Sequence, residues 1–545
     1  MVTTEPILQP IPAPADFPVR WEQPEDERLF WQVERMHWPD PMTPMDFAFM
    51  RSAHEGFSWA FNHYGVPLAF SARYINYRWY FSVNPTVADP ALMPSLMAAG
   101  IENLTATIAR LGMLWHDEWL PEVMEHLDYW EQFDLASASL PELLAHFNET
   151  IARHERVWQI HFLQTFPVYM AMSTFDDLYQ DLLGAADGLV AYKLLQGFDN
   201  KTVKLGRELW KLSRRVLASP VLRAAFESTD GADVLTALGE SSDGQAFLTT
   251  FERFLDCWGR RGEQLGVSFV TWREDPAQPI RQLRDYVNQP DLDIETEMAL
   301  LVAGREHALA AARTRIAGYP RPIIEQFESM LAAAQQATII SEDHNYYIDF
   351  GAIYQVRQVL LEFGRRFARA GIIRDPQDIF MLTPDELRDT INRLPEIDRT
   401  VLVARRKAEM ERSRQTAPPP ALGTPSTAPP PDDPLSRTIG KFFGVPVPEP
   451  ETTNGTLVIH GGSGSPGTAR GVARVILSLA DAGRLAHRDI LVTPTTAPAW
   501  TPLFTTAAAV VTDTGGVLSH SAVVAREYRI PAVVGATIAT TVIQD

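Results

Sequence analysis

The sequence predicts a large, mainly α-helical N-terminal domain followed by a small α/β domain. From about residue 91 to 410, apolar residues recur at spacings of three and four with charges between them, as in amphipathic helices. A proline-rich stretch then interrupts this pattern, and short β-rich pieces separated by glycine turns follow it. We therefore assign 1–410 to a mostly helical domain, 411–450 to a linker and 451–545 to the α/β domain.

Residues 1–90 are an aromatic-rich part of the helical domain. Thr43 and Pro44 predict a helix start, with threonine as the cap and proline at the first helical position. Residues 72–81 are aromatic and partly alternating, which predicts a short strand or hairpin. Twelve of the 13 tryptophans precede residue 415. Aromatic side chains line pockets for flat apolar ligands, although core packing is the more common use of any single tryptophan.

Composition narrows the possible partners. The chain has 545 residues and a formal net charge of −20, which argues against nucleic acid or an anionic membrane as a partner. One cysteine, Cys257, permits no internal disulfide and fits a reducing compartment. We see no signal peptide at the N-terminus and no apolar run near the roughly 20 residues that cross a bilayer. The expected location is the cytoplasm.

The stretch from 415 to 434 reads QTAPPPALGTPSTAPPPDDP. Such a sequence predicts a semi-rigid, extended tether of about 3 Å per residue, or up to roughly 60 Å in total. A tether of this kind suits a domain that carries a chemical group between two distant sites. A passive spacer between domains has the same composition.

The most informative stretch is 512–535, TDTGGVLSHSAVVAREYRIPAVVG. An apolar run over 507–511 predicts a strand, a Gly-Gly turn follows it, and Ser519 is a predicted helix cap. His520 then falls in the first helical turn, where free backbone N–H groups and the helix dipole favour negative charge. A histidine that carries a phosphoryl group is suited to this position. The alternative is a structural histidine that only caps the helix.

This stretch resembles the phosphohistidine motif of the swivelling domain in phosphoenolpyruvate-utilising enzymes. These include pyruvate phosphate dikinase, rifampicin phosphotransferase and phenylphosphate synthase. The SPGxxxGxARV and TPxTxPAWTPLF patterns resemble the same domain, so the resemblance covers roughly 455–545. It implies that His520 is phosphorylated in mid-cycle. Members usually continue for a further strand pair, which predicts that the β-rich end at 541–545 is truncated or closes differently. The residues that the resemblance implies around the phosphoryl group are Thr514, Gly515, Gly516, Ser519 and Arg526.

Two looser resemblances lie in the helical region. FLDCWGRRG over 254–262 has Arg260 where the family often has histidine. Arg260 and Arg261 are candidates to grip a phosphoryl group, although solvated or ion-paired arginines are an equal possibility.

The tract SEDHNYYID over 341–349 contributes Glu342, His344 and Asp349 as further candidates for the acceptor site. On an α-helix His344 shares a face with Ile348, and Asp349 lies near Glu342. A carboxylate beside a histidine can remove a proton from an attacking hydroxyl. The alternative is a hydrogen-bonded helix end capped by Ser341.

We find no ATP-grasp or P-loop signature and no strand–helix alternation typical of a barrel. By its resemblance to phenylphosphate synthase, the chain is expected to receive phosphate from ATP through an ATP-grasp-type partner subunit that uses Mg²⁺. The expected acceptor is a hydroxyl of an apolar, phenolic small molecule, which suggests aromatic compound metabolism. Two alternatives remain: a relay that passes phosphate to another protein, and a non-catalytic binding module. The ligands of any resident metal are not predicted.

Overall fold

The computed structural model describes residues 9–545 except 185–187, 229–231, 426–431, 446, 449–450 and 454–455. A large helical region precedes a small α/β domain, which confirms the predicted fold class. The helices are α1 (Pro44–Tyr64), α2 (Met93–Ile108), α3 (Leu111–Met113), α4 (Leu120–Gln132), α5 (Leu140–Leu183), α6 (Lys201–Ala218), α7 (Pro220–Ser228), α8 (Ala232–Gly239), α9 (Ser242–Trp258), α10 (Ala277–Val287), α11 (Ile294–Ile316), α12 (Arg321–His344), α13 (Ile353–Arg369), α14 (Pro384–Asn392), α15 (Thr400–Gln415), α16 (Pro434–Phe443), α17 (His520–Glu527) and α18 (Ala539–Val542). The strands are β1 (Phe30–Val33), β2 (Leu68–Ile75), β3 (Arg78–Pro85), β4 (Ala421–Gly423), β5 (Glu451–Thr453), β6 (Thr456–Val458), β7 (Gly462–Ser465), β8 (Ala473–Val475), β9 (Ile490–Thr493), β10 (Ala509–Thr512) and β11 (Ala532–Val534).

Helix α5 is the central element of the helical domain. It has 44 residues and begins with a capping box, in which Ser139 and Glu142 satisfy each other's backbone N–H groups. Helices α1 and α12 pack along it and share one large apolar core with it. A second apolar core lies among α6 to α10. The long helix therefore fixes the position of every side chain on its buried face relative to α12.

The aromatic N-terminal part forms an antiparallel sheet with the order β2-β3-β1-β4. Strands β2 and β3 are the predicted hairpin, paired from Leu68–Pro85 to Ile75–Arg78. The Thr43 side chain accepts a hydrogen bond from Asp46 N, so the predicted cap of α1 is confirmed. The sheet covers the end of the helical core that contains α1.

The tether predicted over 415–434 is not a free extended chain in the parts that the structure describes, and helices α15 and α16 occupy part of the predicted linker, 411–450. Helix α15 continues to Gln415, and β4 then adds an edge strand to the N-terminal sheet, with Leu422 opposite Trp31. Helix α16 packs against α5, where Lys441 Nζ lies 2.7 Å from a carboxylate oxygen of both Asp176 and Asp177. Composition alone suggested an exposed chain, but the apolar residues between the prolines find partners. Residues 426–431 of the predicted tether lie outside the described residues.

The C-terminal domain contains a five-stranded sheet with the order β7-β11-β10-β9-β8. Strands β8 to β11 run parallel, and β7 is antiparallel to β11. Helix α17 connects β10 to β11, so the predicted strand, turn, helix and strand over 507–534 are confirmed. The end of the chain differs from the predicted β-rich piece because Ala539–Val542 form one helical turn.

The described helices include none that is both long and apolar enough to cross a lipid bilayer.

Candidate functional site at the domain interface

His520 begins helix α17 and points at the helical domain. Only 14% of its side chain is exposed. Ser519 occupies the predicted cap position, but its hydroxyl makes no capping bond and has no hydrogen-bond partner among the described residues. In the same part of the chain, no described acceptor pairs with the N–H groups of His520, Ser521 and Ala522. The first turn of α17 therefore offers unpaired donors beside the histidine, as an anion site does.

The imidazole of His520 lies between the two domains. Its Nδ1 is 3.6 Å from Glu342 Oε2 on α12, and its Nε2 is 3.5 Å from Thr501 Oγ1 in its own domain. Thr202 donates a 2.6 Å hydrogen bond to the same oxygen of Glu342. Burial raises the pKa of Glu342, but His520 and Thr202 outweigh burial and bring this pKa below its ordinary value. Glu342 is therefore a buried carboxylate that faces the histidine.

The Gly-Gly turn before His520 packs against α16. Gly516 N donates a 2.8 Å hydrogen bond to Phe442 O, and a Cβ at Gly516 would lie 2.3 Å from Lys441 O. Gly515 has φ +95°, which favours glycine. Thr514 Oγ1 donates to Pro494 O at 3.1 Å. The N–H group of Gly516 is therefore not free for a phosphate in the docked arrangement, because the end of α16 accepts its hydrogen bond.

Arg526 lies six residues beyond His520 and faces away from it. Its Nη1 donates to Gly464 O at 2.7 Å and to Val517 O at 2.8 Å, and its guanidinium lies over the Tyr192 ring. Burial lowers its pKa to about 10. Arg526 therefore holds the turn that precedes His520, which is support through the backbone rather than contact with a phosphoryl group.

The two candidate arginines have different surroundings. Arg260 is 26% exposed and pairs with Glu131 at 2.6 Å, which is the ion-paired alternative. Arg261 is 3% exposed, and its Nε and Nη1 have no hydrogen-bond partner among the described residues. Its guanidinium lies 5.2 Å from the ring centres of both Trp272 and Phe350. Burial lowers the pKa of Arg261 to about 10, although Tyr346 and Glu342 raise it.

Beyond α12 the chain forms a π-helix, Asn345–Ala352. In an α-helix, five residues turn a side chain by about 140° around the axis, whereas π-helical bonding brings residues five apart nearly into line. Asp349 therefore lies beside His344, with Oδ2 3.9 Å from Nε2. Ser341 is inside α12 and donates to Thr338 O, so it is not a cap.

Residues 161–341 match the family described as "Rifampicin phosphotransferase fourth domain". Residues 485–545 match the family described as "PEP-utilising enzyme, mobile domain". In these two regions the chain is similar to PEP-utilising enzymes. The region that matches the mobile domain contains His520, Thr501 and the Gly-Gly turn. The other match ends next to Glu342, so the two regions that meet at His520 correspond to the two family matches.

The named relatives of this chain are longer proteins. It is 39% identical to chondramide synthase cmdD of Chondromyces crocatus over 98% of its own length and 14% of that protein. It is 28% identical to the uncharacterized phosphotransferase YvkC of Bacillus subtilis (strain 168), over 73% of this chain and 47% of the relative. It is 30% identical to a rifampicin phosphotransferase of a Streptomyces species, over 76% of this chain and 46% of the relative. The chain spans less than half the length of each.

Sequence reasoning missed three residues of this site. Thr501 lies within the TPxTxPAWTPLF pattern, which therefore contained a usable signal. His161 is on α5, where His146, His154 and His161 follow one another at helical spacing and are all buried. His37 is remote in sequence, yet its charge interacts with Asp349. Only packing brings His161 and His37 to the site.

The expected Mg²⁺ does not fit the one described cluster with the spacing of a metal site. That cluster is His161, His344 and Asp349, whose ligand atoms lie within 4.8 Å of one another. Mg²⁺ prefers oxygen ligands, and two of these three are imidazoles. We therefore assign no step to Mg²⁺ at this cluster.

Proposed function

We propose that this chain is a phosphotransferase that carries a phosphoryl group on His520 and transfers it to a hydroxyl of a small apolar molecule. The observation that carries the proposal is the position of His520. It lies at an unpaired helix N-terminus and faces Glu342 of the other domain at 3.6 Å. The relatives named phosphotransferases support the reaction class.

The two nitrogens of His520 have different surroundings, which assigns their roles. Glu342 lies 3.6 Å from Nδ1, so its negative charge favours a proton on that nitrogen and stabilises a protonated ring. Nε2 carries the phosphoryl group. The acceptor oxygen attacks phosphorus, the P–N bond breaks, and its electron pair returns to Nε2. The proton of the hydroxyl passes to a base on α12 or the π-helix, for which Glu342, His344 and Asp349 are the candidates.

Arg261 supplies positive charge for this transfer. It is buried, has two unpaired nitrogens and interacts electrostatically with Glu342, which also contacts His520. A phosphoryl group delivered from Nε2 into the helical domain would pair with these donors. A buried arginine without an anion is costly, and an arginine that meets a phosphoryl group in the transition state contributes to the rate.

The aromatic surroundings of the site support an apolar, phenolic acceptor. Trp158 lies 4.6 Å from the His161 ring and 5.9 Å from the His54 ring. Nε1 of both Trp158 and Trp79 is buried without a hydrogen-bond partner among the described residues. Rings with unpaired N–H donors suit an aromatic molecule that carries oxygen atoms. The donor in this proposal is ATP, used with Mg²⁺ by an ATP-grasp-type domain or partner subunit.

The test separates loading of His520 from delivery. The chain is incubated with phosphoramidate, a small phosphoryl donor to histidine. Phosphorylated peptides are then mapped by mass spectrometry before and after addition of phenol. We expect acid-labile phosphate on His520 and its loss to phenyl phosphate. His520→Ala should abolish delivery, while the exposed His487→Ala in the same domain is the control.

Phenyl phosphate formed equally by His520→Ala would overturn the proposal. Phosphate that stays on His520 with every phenol, yet moves to a second protein, would favour the relay. If His520 accepts phosphate neither from phosphoramidate nor from an ATP-grasp-type donor, the proposal is refuted and the chain is a non-catalytic binding module.

A further inference from the structure

The cluster of His161, His344 and Asp349 joins the middle of α5 to the π-helix after α12. We infer that these three side chains bind a divalent transition-metal ion. Metal binding by them does not depend on the proposed phosphoryl transfer. The role of the ion in catalysis, given below, does rest on it.

The three ligand atoms lie within 4.8 Å of one another, so side-chain rotation must bring the widest pair closer before all three contact one ion. His161 Nδ1 is 3.1 Å from Asp349 Oδ1, and His344 Nε2 is 3.9 Å from Asp349 Oδ2. Ligand atoms about 2.1 Å from a shared ion lie roughly 3.0–3.5 Å from one another. The first separation already matches this range, and the second requires a shift of a few tenths of an ångström.

The tautomer of His344 leaves a lone pair directed at a carboxylate. Its Nδ1 lies 3.0 Å from Ile340 O, so this nitrogen carries a proton and donates it to the carbonyl. Nε2 is then unprotonated in the neutral ring and faces Asp349. Burial lowers the pKa of His344, which favours that neutral form. A backbone carbonyl on one nitrogen and a metal on the other is the common arrangement for a ligating histidine.

Unpaired atoms point to the same space. Nδ1 of His161 and Oδ1 of Asp349 are buried, and neither has a hydrogen-bond partner among the described residues. They are close, but their geometry does not meet the requirements of a hydrogen bond. His161 is only 8% exposed, so bulk water does not satisfy it. A cation between the three side chains would pair all of these atoms at once.

The ligand set selects the class of metal. Two imidazoles and one carboxylate suit Mn²⁺, Fe²⁺, Co²⁺ or Zn²⁺ better than Mg²⁺. Three protein ligands leave at least one coordination position open, as catalytic sites do. Trp158 and Phe162 flank His161 with ring centres 4.6 and 4.8 Å away, which gives the site an apolar wall. An acceptor hydroxyl in the open position would lose its proton more readily.

Cobalt titration tests this inference directly. Purified, chelator-treated protein is titrated with Co²⁺, and the visible d–d absorption is followed. We expect one equivalent to bind, and we expect His161→Gln and Asp349→Asn each to weaken binding at least about a hundredfold. His154→Gln is the matched control, because His154 is a buried histidine of the same helix that is not in the cluster.

A wild-type protein that binds no stoichiometric Co²⁺ would overturn the inference, and this measurement requires no variant to fold. Undiminished binding in folded His161→Gln would overturn it as well. Phosphate on His520 is measured in the same samples. Loading without Co²⁺ binding refutes only the metal site, and Co²⁺ binding without loading refutes only the proposed function.

Discussion

Replacing Arg261 by methionine should leave the protein as stable as the wild type, or more stable, while it slows phosphoryl transfer. The wild-type side chain buries two N–H donors that have no partner among the described residues, at about 1–3 kcal/mol each. Methionine removes that cost. It also removes two cation–π contacts, with Trp272 and Phe350, worth about 0.5–2 kcal/mol each. The middle of each range gives about 4 kcal/mol gained and about 2.5 kcal/mol lost, so the expected net change is about 1–2 kcal/mol of added stability.

Arg357 provides the matched control because it is equally buried but fully paired. Its guanidinium binds Glu274 at 2.7 and 3.0 Å and Val267 O at 2.9 Å. Arg357→Met should therefore lower the free energy of unfolding by about 3–5 kcal/mol. The two variants should differ by at least about 3 kcal/mol although the substitution is the same.

Urea denaturation followed by circular dichroism measures both variants, and the phenyl phosphate assay measures transfer. Loss of the contact with the phosphoryl group should slow Arg261→Met by about a hundredfold or more. If Arg261→Met is destabilised as strongly as Arg357→Met, then Arg261 is paired within the protein and the reasoning is refuted. Unchanged transfer would refute its role in the reaction.

Two further substitutions test how the domains are held together. Gly516→Ala places a methyl group 2.3 Å from Lys441 O and should destabilise the docked arrangement by about 1–3 kcal/mol, as measured by thermal denaturation. Gly483→Ala is the control and should have little effect, because a Cβ at Gly483 meets no atom within 4 Å. Glu527 is bonded to Gly197 N across the interface, and burial raises its pKa to about 7. Its contribution to stability is therefore full below the ordinary pKa near 4.5 and is lost as the pH rises to about 7. Glu527→Gln should be more stable than the wild type at pH 8, and an unchanged pH slope in this variant would contradict that account.

Local patterns in the sequence predicted the local parts of the structure well. The strand, turn and helix around His520 and the cap at Thr43 depend on neighbouring residues, and all of them are present. The position of Glu342 opposite His520 did not follow from spacing, although the sequence marked both residues. That contact depends on how the two domains pack.

Two errors have identifiable physical causes. Proline content suggested an exposed chain after residue 415, but β4 and α16 gain partners from distant parts of the fold. The contact between Asp349 and His344 was not predicted, because α-helical geometry places residues five apart on different faces. The π-helix brings these two side chains together, and no local residue pattern indicated it. His161 was missed for the same kind of reason, since its partners are nearly 190 residues away.

The burial of His520 also limits how often the protein can act. With 14% of its side chain accessible, the docked histidine cannot be reached by a second active site. In the proposed reaction cycle, reloading of His520 and delivery of its phosphoryl group must therefore alternate, because the donor cannot reach the docked histidine. The contacts of Lys441, Phe442 and the Gly-Gly turn stabilise the docked arrangement. Tighter docking would improve the accuracy of each transfer and lower the number of transfers per second, so turnover should be highest when docking is only moderately stable.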